Sequence, residues 1–381
     1  MEKNKFFEGP LGKYLLPPII LQSVLIGGGY ATGREIVEYG AKYGALGWIG
    51  GLGIFIGFAV ISVLVFELAR TFHVYDYKNI MKKIIGKLWP IYDVLYVLIA
   101  ILIIAVMSSA AGEILLDTLG IPYFVGIGIV IVIVGIVLFY GERFIERFKT
   151  YGTSALYIGY IIFAATVILT RWDEMIETFA TGDTAYMGEI SLGPVLFTGI
   201  LYVGYNLAVY PASYFTLRRQ TTRKETVLSG IIAGALMVVP WFLTYFAIMG
   251  FYPDPEVLEA PVPWLVMLAD THFILIGLFG IVMGWTLVET STGIIHGFLS
   301  RVDENLKEIG KGRMTAAQRS VASIVILVLA MLLSRVGIID LVAMGYTYMA
   351  YGFIIFFALP LLVIGTFRIL NPKWTNEFFG D

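Results

Sequence analysis

Residues 27–33, Gly27-Gly28-Gly29-Tyr30-Ala31-Thr32-Gly33, followed at once by Arg34-Glu35, decide how the chain is read. They interrupt an apolar run from Tyr14 to Ile26 that would otherwise be a plain membrane-crossing helix. Each glycine weakens a helix by about 1 kcal/mol relative to alanine, and here they cluster just before a charged pair at membrane depth. Irregular backbone survives in hydrocarbon only where protein buries it or where it lines a watery cavity. Residues 27–35 are therefore read as one wall of a binding site, and an opposing wall is expected elsewhere in the chain.

The composition supports a membrane setting. Of 381 residues, 58% are hydrophobic and 14% charged, with a mean hydropathy of +0.84. Soluble domains are about half apolar and a quarter charged, which excludes a soluble domain. A net charge of -2 without a basic cluster argues against a nucleic-acid partner. The chain has no cysteine, and with it no disulfide framework, thiolate metal site or cysteine nucleophile. Lys3, Lys5 and Lys13 before a short apolar run imitate a signal peptide, but Pro17-Pro18 and the helical pattern resuming after Gly33 predict retention.

Apolar runs bounded by charges or turn residues predict ten spans, over residues 13–44, 45–72, 90–119, 121–140, 143–169, 194–217, 227–251, 273–299, 316–334 and 341–370. A short surface helix is expected at Trp172-Asp173-Glu174-Met175-Ile176-Glu177. With both termini cytoplasmic, nearly all of the 26 lysines and arginines fall on the cytoplasmic side; the exceptions are Arg34, Lys42, Arg171 and Arg335. The opposite loops are acidic, with Asp173, Glu174, Glu177, Asp183 and Glu189 in one and Asp254, Glu256, Glu259 and Asp270 in another.

Each half of the chain opens with a broken span, at Gly29-Tyr30 in the first and at Gly204-Tyr205 in the second. An odd number of spans per half makes the second half enter from the opposite side, so an inverted repeat is expected, with the breaks meeting near the midplane. The fold expected is an all-α membrane protein, one transmembrane domain over 1–381, with ten helices arranged as five plus five. The first repeat covers about 13–170 and the second about 194–370.

This architecture resembles the five-plus-five inverted-repeat fold of the leucine-transporter and amino acid–polyamine–organocation superfamily. Within it, Gly28-Gly29-Tyr30-Ala31-Thr32-Gly33-Arg34-Glu35-Ile36 is similar to the first-span signature of the YkvI-type membrane proteins. The architectural likeness covers nearly the whole chain and the signature about ten residues, so the resemblance speaks for the family more than for a substrate.

Several residues near the breaks can carry chemistry. After Gly33 the helix resumes, and its first free N–H groups suit an anionic or dipolar group. Carbonyls of Ile26, Gly27 and Gly28 lose their helical partners and can ligate a cation. Gly28, Gly29, Tyr30, Thr32, Gly33 and Glu35 are thus expected to line the solute site. Charges at mid-membrane cost about 2.5–3.5 kcal/mol each on insertion scales, so Arg34 and Glu35 need partners. Arg34 and Glu38 share a helix face and can pair, leaving Glu35 to titrate, to face the cavity, to hold a cation or to sit in a buried structural pair.

In the sixth span, Tyr202, Gly204, Tyr205 and Asn206 surround the second break, with Pro211 removing a backbone donor downstream. Packing by these aromatics is the plainer alternative. Ser108 in the third span is a further solute-site candidate, although packing suits it as well. The eighth span puts Thr286, Glu289, Thr290, Gly293 and Gly297 on one face. In sodium-coupled members of the resembled superfamily the ion sits between spans one and eight, which implies Thr290 and Ser291 as Na+ ligands together with Gly27. Glu289 is the better proton carrier, or else a bonded acid within the bundle. Glycine pairs Gly47/Gly51, Gly53/Gly57, Gly230/Gly234 and Gly280/Gly284 are read as helix-contact faces.

The expected function is secondary active transport of a small organic solute, an amino acid or amine, across the cytoplasmic membrane, coupled to Na+ or H+. A ligand sensor of the same fold that moves nothing is the alternative. The sequence holds no nucleophile–base or metal constellation, so an enzyme is not expected. No cofactor is expected beyond a possible Na+, and the partners are a small-molecule substrate and the lipid bilayer.

Overall fold

A computed structural model describes residues 9–26, 32–140, 157–308 and 310–379, and their regular structure is helical. Among the described residues, seven helices are long and apolar enough to cross a membrane, and three shorter apolar helices accompany them. The chain is a multi-pass membrane protein. Side chains such as Ile281 (71% exposed) and Val363 (68%) project outward from these helices, as surfaces that face lipid tails do.

The first expected span is discontinuous. Helix α1 (Pro10–Tyr14) leads into α2 (Leu16–Leu25), and a separate short helix, α3 (Arg34–Tyr39), follows. Gly33 caps α3 in the left-handed region, φ +79°, where a side chain would also meet the Trp264 ring at 3.1 Å; glycine alone adopts this without strain. Gly27, Gly28, Gly29, Tyr30 and Ala31 lie outside the described residues. A 3-10 turn over Ala41–Leu46, kinked at Gly44, joins α3 to α4 (Gly47–Phe72).

The chain then runs through an amphipathic helix α5 (Tyr77–Ile85), α6 (Pro90–Leu119), α7 (Tyr123–Tyr140) and α8 (Tyr157–Thr170). The start of the expected fifth span, residues 143–156, lies outside the described residues. The expected surface helix forms as α9 (Trp172–Thr181). The second discontinuous span differs from expectation. It is α-helical through Gly204-Tyr205, as α10 (Leu192–Asn206), and then narrows into thirteen residues of 3-10 helix, Leu207–Arg219. Runs of 3-10 helix beyond three or four residues are uncommon, and Pro211 lies inside this one.

Helix α11 (Arg223–Met249) begins with a capping box, Thr222 with Glu225. Two short helices, α12 (Pro255–Leu258) and α13 (Pro263–Leu268), cross the following loop. The last spans are α14 (Phe273–Glu308), α15 (Ala316–Ser334) and α16 (Ile338–Leu370), the last wound partly into wide π turns.

Two packed groups emerge. Helices α4 and α11 lie along each other, with α2 against α11 and the 3-10 segment; α6, α7, α14 and α15 form the second group. Gly230 and Gly234 of α11 sit against the backbone of Val63 and Ala59, the close approach that small residues permit. A side chain on Gly280 or Gly284 would meet no described heavy atom within 4 Å, so that pair is not a contact face among the described residues. Lysine-rich segments meet at one end, where Lys13 Nζ lies 2.7 Å from Glu225 and Gln220 Nε2 donates to the Lys13 carbonyl. At the other, acidic end, Ala45 N donates to the Asp183 carbonyl. A cleft of about 600 Å³ opens there beside Glu174, Glu177, Asp183 and Asp254. Burial raises the Tyr252 phenol at its edge above the ordinary range, keeping it neutral.

Candidate functional site

The two discontinuous spans meet through side chains. Glu35, in the first turn of α3, is 4% exposed. Its Oε2 accepts a hydrogen bond from the Tyr205 hydroxyl of α10 at 2.5 Å. No cationic side chain pairs with Glu35 among the described residues. Its neighbour Arg34 turns elsewhere: Nη1 donates to the carbonyls of Leu258 (2.6 Å) and Ala260 (3.2 Å), and Nη2 lies 3.6 Å from Glu38. The expected Arg34–Glu38 pairing therefore forms, and Arg34 also fastens the loop carrying α12 over the site.

Aromatic rings surround the Glu35–Tyr205 junction. Tyr205 stacks on Tyr346 of α16 with ring centroids 4.6 Å apart, and meets Tyr39 at 5.5 Å and Tyr202 at 5.4 Å. The Tyr39 hydroxyl donates to the Val342 carbonyl at 3.1 Å and lies 3.2 Å from Thr347 Oγ1. Such walls offer apolar faces with polar tips, suited to a small amphipathic solute.

The structure brings Glu35, Tyr202 and Tyr205 together, and Thr32 and Gly33 directly precede α3. Thr32 Oγ1 accepts from the Arg34 N–H at 3.2 Å, so one of the helix's first donors is already satisfied. Asn206 spends its amide donor on the Tyr202 carbonyl of its own helix, at 2.8 Å. A Cβ on Gly204 would lie 2.9 Å from Ile354 and 3.1 Å from Ala350, so that glycine serves contact with α16. Ser108 is buried in α6 beside Ser109, whose hydroxyl lies 2.7 Å from that of Tyr123. Ile26 is buried at the end of α2, its N–H donating to Gln22.

On α14 the buried hydroxyls are those of Thr286, Ser291 and Thr292, whereas Glu289 and Thr290 are half-buried. Thr286 bonds back to the Val282 carbonyl, and Ser300 does the same to His296, the resting state of hydroxyls in membrane helices. Ser291 Oγ and Thr292 Oγ1 have no hydrogen-bond partner among the described residues although each residue is 1% exposed. Buried polar atoms are seldom left unpaired, and adjacent hydroxyl oxygens are hard donors of the kind that ligate a hard cation. Thr292, Tyr39 and Tyr346 are not among the site residues expected from sequence. Tyr39 lies one helical turn from Glu35, a signal that was available, whereas Tyr346 reaches the site only through tertiary packing.

No family model matches the chain. In sequence it is similar to the uncharacterized membrane protein YkvI of Bacillus subtilis (strain 168), 22% identical over 248 residues, 64% of this chain and 68% of that protein. In structure it is similar to MhsT in complex with L-phenylalanine, with a TM-score of 0.58 and 15% identity over 97% of this chain and 90% of MhsT. It is likewise similar to a Na+-coupled sialic acid symporter in a substrate-bound outward-open state (TM-score 0.54, 14% identity, 92% of this chain and 87% of that one). A third likeness is to the Eremococcus coleocola manganese transporter (TM-score 0.51, 14% identity, 100% of this chain and 83% of that one). The chain is a distant relative of YkvI and has the leucine-transporter fold.

Proposed function

We propose that the chain is a secondary active transporter, and not an enzyme, that moves an amino acid or amine across the cytoplasmic membrane. Its ten spans form one domain of two inverted five-span repeats, with both termini and the lysine-rich end in the cytoplasm. The observation that carries this reading is the buried Glu35–Tyr205 bond, which joins the helices that follow and precede the two discontinuities. Solved transporters of similar fold include one bound to L-phenylalanine and a Na+-coupled symporter, which favours an amino-acid-sized solute and ion coupling.

The coupling ion has two candidate seats. Ser291 and Thr292 fit Na+, since their orphaned hydroxyls ask for a ligand, and carbonyls of Ile26 and Gly27 would complete that shell. Glu35 and Glu289 are the proton-carrying alternatives. Chemically, Na+ would supply only charge balance and a reason for the solute site to order when the ion is bound.

Uptake by the purified chain in proteoliposomes tests the reading. Solute should accumulate under an imposed Na+ or H+ gradient and equilibrate when the gradient is dissipated. Saturable binding with no flux under any gradient would instead favour the sensor.

A further inference from the structure

The turn between the 3-10 segment and α11 carries four cations within seven residues, Arg218, Arg219, Arg223 and Lys224, and all four are exposed. One acid follows at once, Glu225, and it points inward. It is 8% exposed, accepts from Lys13 Nζ at 2.7 Å, and accepts from the Thr221 and Thr222 N–H groups at 2.7 and 3.0 Å. Glu67 of α4 lies within electrostatic reach of Arg223. Its oxygens are already taken by Arg70 and by the Thr226 hydroxyl, each at 2.6 Å. Arg218 rests over the Tyr75 ring, 5.7 Å from its centroid. Among the described residues, no carboxylate forms an ion pair with any of the four.

The flanking side chains fix where this turn sits in the membrane. One apolar span ends at Arg219 and the next begins at Arg223, so the turn lies where the hydrocarbon stops. Phe215 is 58% and Leu228 40% exposed, as side chains that face lipid tails are. Residues three apart eclipse in a 3-10 helix, so Arg218 stands directly outboard of Phe215. Residues four apart share a face of an α-helix, which puts Lys224 outboard of Leu228. Each span end therefore offers an apolar side chain to acyl tails and a cation one turn nearer the water. Arg223 and Lys224 also oppose the positive end of the α11 dipole, a conflict that an anion at the turn relieves. A soluble anion would use the cations alone, whereas an anionic amphiphile uses both kinds of side chain.

We propose that this turn docks anionic phospholipid from the adjoining leaflet, with phosphate on the four cations and acyl chain against Phe215 and Leu228. Basic residues at the end of a membrane span attract anionic headgroups. The proposal requires a membrane protein and does not rest on the transporter reading.

The test counts lipid bound to the purified full chain in neutral detergent by native mass spectrometry, with phosphatidylglycerol, phosphatidylcholine and glycerol 3-phosphate as probes. Phosphatidylglycerol should bind at least tenfold more tightly than either of the others. Combining Arg218→Gln, Arg219→Gln and Lys224→Gln should weaken phosphatidylglycerol at least tenfold, leave phosphatidylcholine within twofold, and keep the melting temperature. Lys224→Gln alone and Phe215→Ala alone should each weaken phosphatidylglycerol at least threefold. Lys311→Gln with Arg313→Gln, two exposed cations in the loop between α14 and α15, should leave it within twofold. An equal loss in that control pair would make the effect one of net charge and overturn the docking surface. Glycerol 3-phosphate binding as tightly as the lipid would make the occupant a soluble anion, and would overturn it too. So would phosphatidylglycerol binding no better than phosphatidylcholine.

Discussion

The hydroxyl of Tyr205 and the carboxylate of Glu35 meet at 2.5 Å, far apart in sequence and on the two spans whose helices are discontinuous. A hydrogen bond of this kind is directional, and removing one partner leaves the other buried and unsatisfied, at a cost of about 1–3 kcal/mol. It therefore couples the positions of α3 and α10: a solute that engages Glu35 must also be felt by Tyr205. The Tyr205–Tyr346 stack extends that link to α16.

The unpaired hydroxyls on α14 give an ion test that separates neighbouring residues. Ser291→Ala and Thr292→Ala should each remove Na+ dependence from solute binding, raising the Na+ concentration needed for half-maximal effect at least tenfold. Thr290→Ala should leave it within threefold, because Thr290 is only half-buried. Loss of dependence in Thr290→Ala alone would shift the ligand set back to the register implied by family resemblance.

Arg34 should govern the loop above the site. It donates to Leu258 and Ala260, and hydrogen bonds from a charged donor are roughly twice as strong as neutral ones. In Arg34→Ala, amide hydrogen exchange over residues 255–268 should rise at least tenfold, equivalent to about 1.4 kcal/mol. Arg34→Lys should restore part of the protection, keeping the charge but not the planar fork. Exchange unchanged in Arg34→Ala would mean the loop is held by other contacts.

Two glycines make a matched pair for packing. A Cβ at Gly234 would lie 2.8 Å from Ala59 backbone, and overpacking of that kind costs about 1–3 kcal/mol, so Gly234→Val should lower the melting temperature by several degrees. Gly280→Ala meets no described atom within 4 Å and should leave it unchanged or raise it. A reversed order would refute the α4–α11 packing.

Much of this was legible in the chain itself because its signals are local. Gly33 marks the start of α3, Thr315 with Gln318 marks the start of α15, and Pro90 that of α6. The capping box Thr222–Glu225 was equally legible, and reading it would have started α11 at Arg223 rather than at residue 227. The second break is displaced for a physical reason. Pro211 cannot donate to the carbonyl four residues upstream, so the α-helix gives way at Leu207, whereas Gly204 is tolerated within it by packing on Ile354. The choice among Thr290, Ser291 and Thr292 could not be made from sequence, since successive helical residues point about 100° apart and only neighbouring helices fix the buried face. The Tyr346–Tyr205 stack is a tertiary meeting with no local signature.

A double-mutant cycle on gradient-driven uptake tests the central claim most directly, using Glu35→Gln, Tyr205→Phe and the pair. If one joint between the discontinuous helices carries solute, each single change lowers the initial rate at least tenfold and the double mutant is no slower than the worse single. Fully multiplicative losses, or singles that transport normally, would contradict it and leave the Glu35–Tyr205 bond a packing feature.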